Sequence, residues 1–191
     1  NYTLEWLGSI PGKRESRRME TAFCLTKEDI LSRRPFPDGA FYGGWYMDAH
    51  PSGGIYDTGK DNCVQVPVPV YQIPLRCLFN GAVPNLFFAG RIIGVDRDVF
   101  FSSRVMNTCA LSGQAAATMA AVCLDSGKGN SQLTAEDIRH VRRLLLREDM
   151  LIPGADEPDP EDRSPEARVT ASSAHSSEAG QRSGTLELTQ G

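Results

Sequence analysis

The chain has 191 residues, 40% of them hydrophobic and 23% charged, which is enough for one domain with a hydrophobic core. Its net charge of −4 and isolated arginine pairs argue against nucleic acid as a partner. No run of about 18 apolar residues occurs, so no membrane-spanning helix is predicted. The five cysteines form no Cys-x-x-Cys pair, which favours small buried side chains over disulfides or a zinc site.

Composition divides the chain into three predicted parts. Residues 1–83 are rich in glycine, proline and aromatics, and residues 84–152 alternate strand and helix patterns. Residues 153–191 contain few large apolar side chains, which predicts a linker and a disordered tail. Within that tail, residues 168–171 weakly resemble the opening strand of discoidin-like β-sandwich modules. Because the first residue is Asn1 rather than Met, we expect the chain to be cut from a longer protein.

Two segments share a helix-start pattern. "LTKEDI" (residues 25–30) and "LTAEDI" (residues 133–138) each place a threonine three residues before an aspartate, which is a capping box. Thr26 and Thr134 are therefore the predicted N-caps of two helices. The arginines of the second helix are predicted to form a solvated face: Arg139, Arg142, Arg143 and Arg147.

Extended chain is predicted between these two helices. Glycine and proline exclude a long helix from residues 36–62, where the aromatic side chains indicate short strands and packed loops. "VQVPVPVYQIPLRCLF" (residues 64–79) is also predicted to be extended, and its prolines exclude it from a central sheet strand.

The stretch "NLFFAGRIIGVDRDVFFSSRVMNTCALSGQAAATMAAVCL" carries the most information. Residues 85–89 predict a short strand ending at Gly90, which is either a ligand-binding turn of an open α/β sheet or a plain turn. A loop and then a helix follow, with Asn107 or Thr108 as the predicted N-cap and Gly127 at the end. Since hardly any charge interrupts this helix, it is predicted to be buried on all sides.

Gly113 lies inside this predicted helix, where glycine costs about 1 kcal/mol relative to alanine. One explanation is a ligand that approaches the backbone closely, and the other is tight packing of the helix on a sheet. The N–H groups of residues 107–111 lie at the positive end of the helix dipole, which suits an acceptor with negative character. The sequence leaves both explanations open.

Three arginines flank the start of this helix: Arg91, Arg97 and Arg104. The guanidinium of Arg104, one turn before the helix, suits a clamp on a carboxylate or another planar acceptor. The alternative is an ion pair of Arg104 with Asp96 or Asp98.

His50 is the second candidate for chemistry. An imidazole suits a general base, provided that it reaches the substrate proton and that its pKa lies near the working pH. The alternative is a loop histidine hydrogen-bonded to Asp48 or to the backbone.

Four blocks occur in order over residues 15 to about 124: "ESRRMETAFCLTKEDIL", "FPDGAFYGGWYMDAHPSGG", "VYQIPLRCLF", and "NLFFAGR" followed by "SSRVMNTCALSGQAAATMAA". Together they resemble the C-terminal flavin-binding segment of bacterial FAD-dependent oxidoreductases of the glutathione-reductase-like superfamily. The resemblance fades after about residue 150.

The resemblance implies an α/β protein, the incomplete C-terminal portion of an FAD-binding Rossmann-like fold. Residues 1–83 would belong to a mixed α+β substrate region, and residues 84–152 would supply the last strand and helices of the FAD-binding domain. The family holds the ADP half of FAD on an N-terminal βαβ unit with G-x-G-x-x-G. This sequence has no such motif between a strand and a helix, so we expect that half on the full-length protein.

The resemblance also implies FAD as cofactor and hydride transfer to or from a small organic substrate. By position, Ala89, Gly90 and Arg91 would border the ribityl and pyrophosphate groups. The residues expected near the flavin ring are Arg104, Met106, Ser112, Gly113 and Gln114. His50 and Arg76 would face the substrate, and His50 and Arg104 are the catalytic candidates. Ser112 departs from the small or apolar residue that many relatives have there.

Two other functions stay open. The chain could be a truncated or degenerate relative that binds FAD only with a partner chain supplying the βαβ half. A carbohydrate-binding or surface module rests on the tail alone. The cysteines suit a reducing compartment and a C-terminal sandwich would suit export, so the localisation is left open.

Overall fold

The structure is a computed structural model of the chain. It falls into one compact unit within residues 1–157 and a second within residues 158–191. The residues that it describes are 2–10, 17–51, 53, 56–58, 61, 63–155, 159–163 and 166–168.

The described residues of the second unit, 159–163 and 166–168, form short turns. The Asp159 carbonyl accepts a hydrogen bond from the Asp162 N–H at 3.0 Å, and its side chain accepts one from the Glu161 N–H at 3.1 Å. Most of the predicted disordered tail, and the predicted strand beginning at Arg168, lie outside the described residues.

Four short strands in the first unit form two separate antiparallel pairs within the described residues. β1 (Gly39–Gly43) pairs with β4 (Tyr71–Pro74), and β2 (Met47–Ala49) pairs with β3 (Val64–Val66). The helices of this unit are α1 (Lys27–Leu31), α2 (Arg97–Ser103), α3 (Met106–Ser126) and α4 (Ala135–Arg147).

The predicted mixture of helices and short strands is confirmed. The strands at the two ends of the proline-rich segment, β3 and β4, each pair on one side only among the described residues. The more specific prediction, a C-terminal portion of a Rossmann-like fold, remains a prediction, as does the division of the chain after residue 83. Side chains from before and after that point share one hydrophobic core, which includes Leu25, Phe41, Ile73, Met119 and Leu145.

Both predicted capping boxes are confirmed. The Thr26 hydroxyl accepts a hydrogen bond from the Asp29 N–H at 3.3 Å, and the Asp29 carboxylate accepts one from the Thr26 N–H at 3.1 Å. The Thr134 N–H donates to the Asp137 carboxylate at 2.7 Å in the same way. Each box satisfies N–H groups that the first helical turn leaves without intrahelical partners.

α2 occupies part of the predicted loop, so that prediction was wrong. Asp96 is its N-cap, and one carboxylate oxygen accepts a hydrogen bond from the Val99 N–H at 2.7 Å. The other oxygen accepts from the Lys27 N–H at 2.8 Å. A single side chain therefore begins α2 and ties it to the start of α1.

α3 ends as predicted, at Gly127 in the left-handed conformation with φ of 66°. Its predicted N-cap was wrong, because Val105 holds that position and makes no side-chain hydrogen bond. Burial on all sides was also wrong, because the described residues pack against one side only. The outer side exposes Met106, Ala110, Ala117, Ala121 and Leu124.

The predicted strand over residues 85–89 was wrong, since it makes only one antiparallel bridge, at Phe87. The Leu86 N–H donates to the Val83 carbonyl at 3.2 Å, which forms a turn. The Asn130 side-chain amide donates to the carbonyls of Val83 and Leu86 at 2.9 and 3.1 Å. These bonds use backbone groups that a β ladder would need.

The prediction of a fully solvated arginine face on α4 was wrong at Arg142, which is 6% exposed. Its Nη1 donates to the Gly39 carbonyl at 2.9 Å and to the carbonyls of Phe36 and Pro37 at 3.4 Å. Arg142 thus holds α4 against the segment that enters β1, while Arg139 is exposed as predicted.

None of the described helices combines the length and apolar character needed to cross a membrane. The described residues contain no group of three or more His, Cys, Asp or Glu that could hold a metal ion. All five cysteines are free thiols, with Cys77 and Cys123 buried and Cys24 exposed.

Residues 19–25 run between residues 76–79 and residues 92–94 and make backbone hydrogen bonds to both. The Leu25 N–H donates to the Gly94 carbonyl at 3.0 Å, and the Gly94 N–H donates to the Cys77 carbonyl at 2.8 Å. An added Cβ at Gly94 would lie 1.7 Å from Thr21 Oγ1 and 2.5 Å from the Phe23 carbonyl oxygen. Only glycine fits this crossing.

We predict that Gly94→Ala lowers the free energy of unfolding by about 3 kcal/mol, because the crossing must open to admit a methyl group. Chemical denaturation measures this change. Gly113→Ala is the matched control: a Cβ there meets nothing within 4 Å, so it should stabilise α3 by about 0.5–1 kcal/mol. Equal stability of the two variants would contradict the crossing.

Arg142→Ala should lower the free energy of unfolding by about 2–4 kcal/mol, because it removes the donor from buried carbonyl groups. Arg139→Ala, on the exposed side of the same helix, should change it little. Denaturation midpoints of the two variants test this, and similar midpoints would show that Arg142 is solvated as the sequence predicted.

Candidate functional site

Ser112 fixes the segment around Gly90 to α3. Its buried hydroxyl accepts a hydrogen bond from the Gly90 N–H at 2.7 Å and donates to the Cys109 carbonyl at 2.6 Å. Gly90 has φ of 73°, a left-handed conformation that favours glycine. Two predicted site residues are therefore in direct contact, and Ala89 and Arg91 flank that contact in the chain.

Gly113 faces open space among the described residues. An added Cβ at Gly113 would meet nothing within 4 Å, and the same holds at Gly90. Tight packing within the described fold, one of the two explanations that the sequence allowed, therefore does not account for this glycine.

The N-terminus of α3 differs from those of the other described α-helices, each of which has a threonine or aspartate cap. The Cys109 N–H donates to the Val105 carbonyl at 3.0 Å, which begins the helical ladder. Within the described residues, nothing accepts a hydrogen bond from the N–H groups of residues 106–108. The available donors are thus these three, rather than residues 107–111 as predicted.

Positive charge lies near this helix end. Partial burial raises the pKa of the Cys109 thiol, and the positive charge of Arg91 opposes that rise. Arg91 follows Gly90, which Ser112 ties to α3. Met106, at the first position, is 89% exposed. The dipole of α3 and the charge of Arg91 both favour a group with negative character.

Arg104 ends α2 and pairs with Asp48 on β2. Its Nη2 donates to the Asp48 backbone carbonyl at 2.9 Å and to the Asp48 carboxylate at 3.2 Å. Pairing with Asp96 or Asp98, the alternative from the sequence, was wrong, because Asp96 caps α2 and Asp98 lies 2.9 Å from the Lys27 ammonium.

His50 lies in the same group of side chains. Its Nε2 is 3.3 Å from the Asp48 carboxylate, which is the contact that the structural alternative for this histidine predicted. Gln65, directly opposite Asp48 on β3, donates to the other carboxylate oxygen at 3.3 Å. We call Asp48, His50, Gln65 and Arg104 the Asp48 cluster.

A chain of hydroxyl groups joins β4, α2 and Trp45, which lies two residues before β2. The Tyr71 hydroxyl donates to Ser102 Oγ at 2.8 Å, and Ser102 donates to the Trp45 carbonyl at 2.5 Å. Burial raises the pKa of Tyr71 to about 12, so its hydroxyl remains a neutral donor. An added Cβ at Gly43 would lie 2.3 Å from the Tyr71 hydroxyl, so glycine makes room for this tyrosine.

Two predicted site residues point to other parts of the fold. Arg76 pairs with Asp38 through Nε at 2.9 Å and Nη2 at 3.0 Å, and its guanidinium lies 4.9 Å from the Phe23 ring centre. Gln114 donates to the Glu148 carbonyl at 3.3 Å. Their assignment to substrate and flavin stays a prediction.

Ser112→Ala should free the Gly90 segment, because the Gly90 N–H loses its acceptor. We expect faster hydrogen exchange at the Gly90 amide and a loss of about 1 kcal/mol in stability. Ser126→Ala, which removes a hydroxyl at the other end of α3, is the control. Unchanged exchange at Gly90 in Ser112→Ala would show that this hydrogen bond does not hold the segment.

A family model described as FAD dependent oxidoreductase matches residues 1–145, which is more than half of the chain. This confirms FAD as the cofactor and oxidoreduction as the reaction class that the resemblance implied. No curated protein matches the chain significantly, and no solved structure does. The chain belongs to the FAD dependent oxidoreductase family.

Proposed function

We propose that the protein transfers a hydride between a small organic substrate and FAD, with the flavin ring against the N-terminal half of α3. The protein's part is to bind the flavin, orient it and exclude water, while bound FAD supplies the hydride chemistry. An N-terminal half with a βαβ unit would hold the ADP portion. The glutathione-reductase-like superfamily and a bacterial branch belong to the same proposal.

The open space beside Gly113 carries this proposal. A glycine inside a 21-residue helix costs about 1 kcal/mol relative to alanine, and no described neighbour needs the missing Cβ. A flat ring lying close to the helix backbone would need that space. The donor groups of residues 106–108 and the positive charge of Arg91 suit the acceptor edge of a flavin, so the residues present fit the cofactor.

The proposed roles follow the position of each residue. Ala89, Gly90 and Arg91 would border the ribityl and pyrophosphate groups, and Ser112 would hold this segment in place through Gly90. Met106, Gly113 and Gln114 would line the ring. Arg104 would act on the ring through its charge.

His50 would take or give the substrate proton when the hydride moves, because an imidazole nitrogen can accept or donate a proton. Its exposure of 45% leaves it accessible from solvent. Arg76 would bind substrate through the donors that Asp38 leaves over, since its contacts with Asp38 occupy only Nε and Nη2.

We predict that Gly113→Val in the full-length protein weakens FAD binding at least tenfold, roughly 1.4 kcal/mol, because the branched side chain fills the space for the ring. The described fold tolerates the change, since a Cβ there meets nothing within 4 Å. FAD titration and the flavin absorbance of the purified variant measure binding.

The control is Ala135→Val, which puts the same branched side chain on an exposed position of α4. It should bind FAD normally. The free energy of unfolding of both variants, measured without flavin, should stay close to that of the wild-type protein. Normal FAD occupancy in Gly113→Val would remove the ring from this face. A wild-type protein that binds no FAD would favour the non-catalytic alternative.

A further inference from the structure

We propose that Asp48 is a positioning residue that holds Arg104 in place and cancels part of its charge, thereby setting how strongly Arg104 acts on the bound flavin. This inference rests on the proposed function, because it assumes a flavin near Arg104. Neither the family match nor the resemblance assigns a role to Asp48.

The pair is shielded from solvent, which strengthens its effect. The side chain of Arg104 is 12% exposed and that of Asp48 is 17% exposed. Opposite charges that are largely removed from water interact several times more strongly than those on an open surface. The electrostatic field that the Asp48–Arg104 pair exerts on its surroundings is therefore much weaker than that of a lone guanidinium.

Arg104 makes two contacts with Asp48, and only one of them involves the charge of the carboxylate. Arg104 Nη2 donates to the Asp48 backbone carbonyl at 2.9 Å as well as to the carboxylate at 3.2 Å. An asparagine at this position keeps the backbone contact and the side-chain shape. Asp48→Asn therefore leaves the guanidinium anchored and removes the compensating negative charge.

The other members of the cluster also depend on this carboxylate. Gln65 donates to one of its oxygens at 3.3 Å, and His50 Nε2 lies 3.3 Å from the other. Asp48 thus links the general-base candidate to the cationic candidate, and it lies on β2, which begins two residues after the Trp45 carbonyl that Ser102 of α2 binds.

Cys63 reports the charge of Asp48 without any flavin. Desolvation raises the pKa of the Cys63 thiol, and the charge of Asp48 and a hydrogen bond to it raise that pKa further. Removing the negative charge lowers the pKa, so more thiolate forms at a given pH below it. Alkylation of Cys63 should therefore be faster in Asp48→Asn.

The first measurement follows iodoacetamide labelling of each cysteine by peptide mass spectrometry in the full-length, flavin-free protein. We expect Cys63 to react several-fold faster in Asp48→Asn, with the exposed Cys24 unchanged as the internal reference. An unchanged Cys63 rate would overturn the assignment of the charged carboxylate to this position.

The second measurement uses sulfite with the FAD-bound protein. Sulfite adds to oxidised flavin and leaves negative charge on the ring, so nearby positive charge tightens its binding. Asp48→Asn should bind sulfite about tenfold more tightly, because the charge of Arg104 is no longer cancelled. Arg104→Gln should bind it more weakly, and Asp48→Asn/Arg104→Gln should resemble Arg104→Gln.

Asp29→Asn is the control, because it breaks another aspartate–arginine pair, with Arg34 at 2.9 Å; the side chain of Asp29 is 9% exposed and that of Arg34 is 57% exposed. It should leave sulfite binding unchanged. Unchanged sulfite affinity in Asp48→Asn with FAD bound would overturn the proposal. Failure of the wild-type protein to bind FAD would instead overturn the proposed function, and the Cys63 rate would still decide whether Asp48 carries the charge.

Discussion

Gly94 lies where three stretches of backbone meet. Its carbonyl accepts a hydrogen bond from the Leu25 N–H, and its own N–H donates to the Cys77 carbonyl. A side chain there would collide with Thr21 and with the Phe23 carbonyl. The crossing sets the position of Asp96, whose carboxylate begins α2 and binds the start of α1. The end of α2, and therefore Arg104, depends on this contact far from the site.

One side of α3 packs on the hydrophobic core of the described residues, and the other side is exposed. Its inner side packs on the shared core through Ala115 and Met119, while its outer side is exposed from Met106 to Leu124. The small residues on the outer side do not serve any described contact. An N-terminus without a side-chain cap and a helix glycine beside open space are together the features expected where a cofactor meets backbone.

Local patterns were predictable from the sequence, because their energetics depend on neighbouring residues. Thr26 and Thr134 cap their helices as the capping-box pattern indicates, and Gly127 ends α3. Features that depend on distant partners were missed. The burial of Arg142 requires carbonyl groups that lie more than 100 residues earlier. Likewise, the strand over residues 85–89 fails because Asn130 binds the Leu86 carbonyl and the Val83 carbonyl just before it. The sequence predicted Asp48 only as a partner of His50, since residues two apart on extended chain share a face. The pairing of Asp48 with Arg104 was missed, because it depends on a distant part of the chain.

A crystal structure of the full-length protein with FAD bound tests the central claim most directly, through the distance from Gly113 Cα to the flavin ring. The account predicts a ring atom in van der Waals contact, within about 4 Å. Another side chain of the protein covering Gly113, with the ring bound elsewhere, would contradict it.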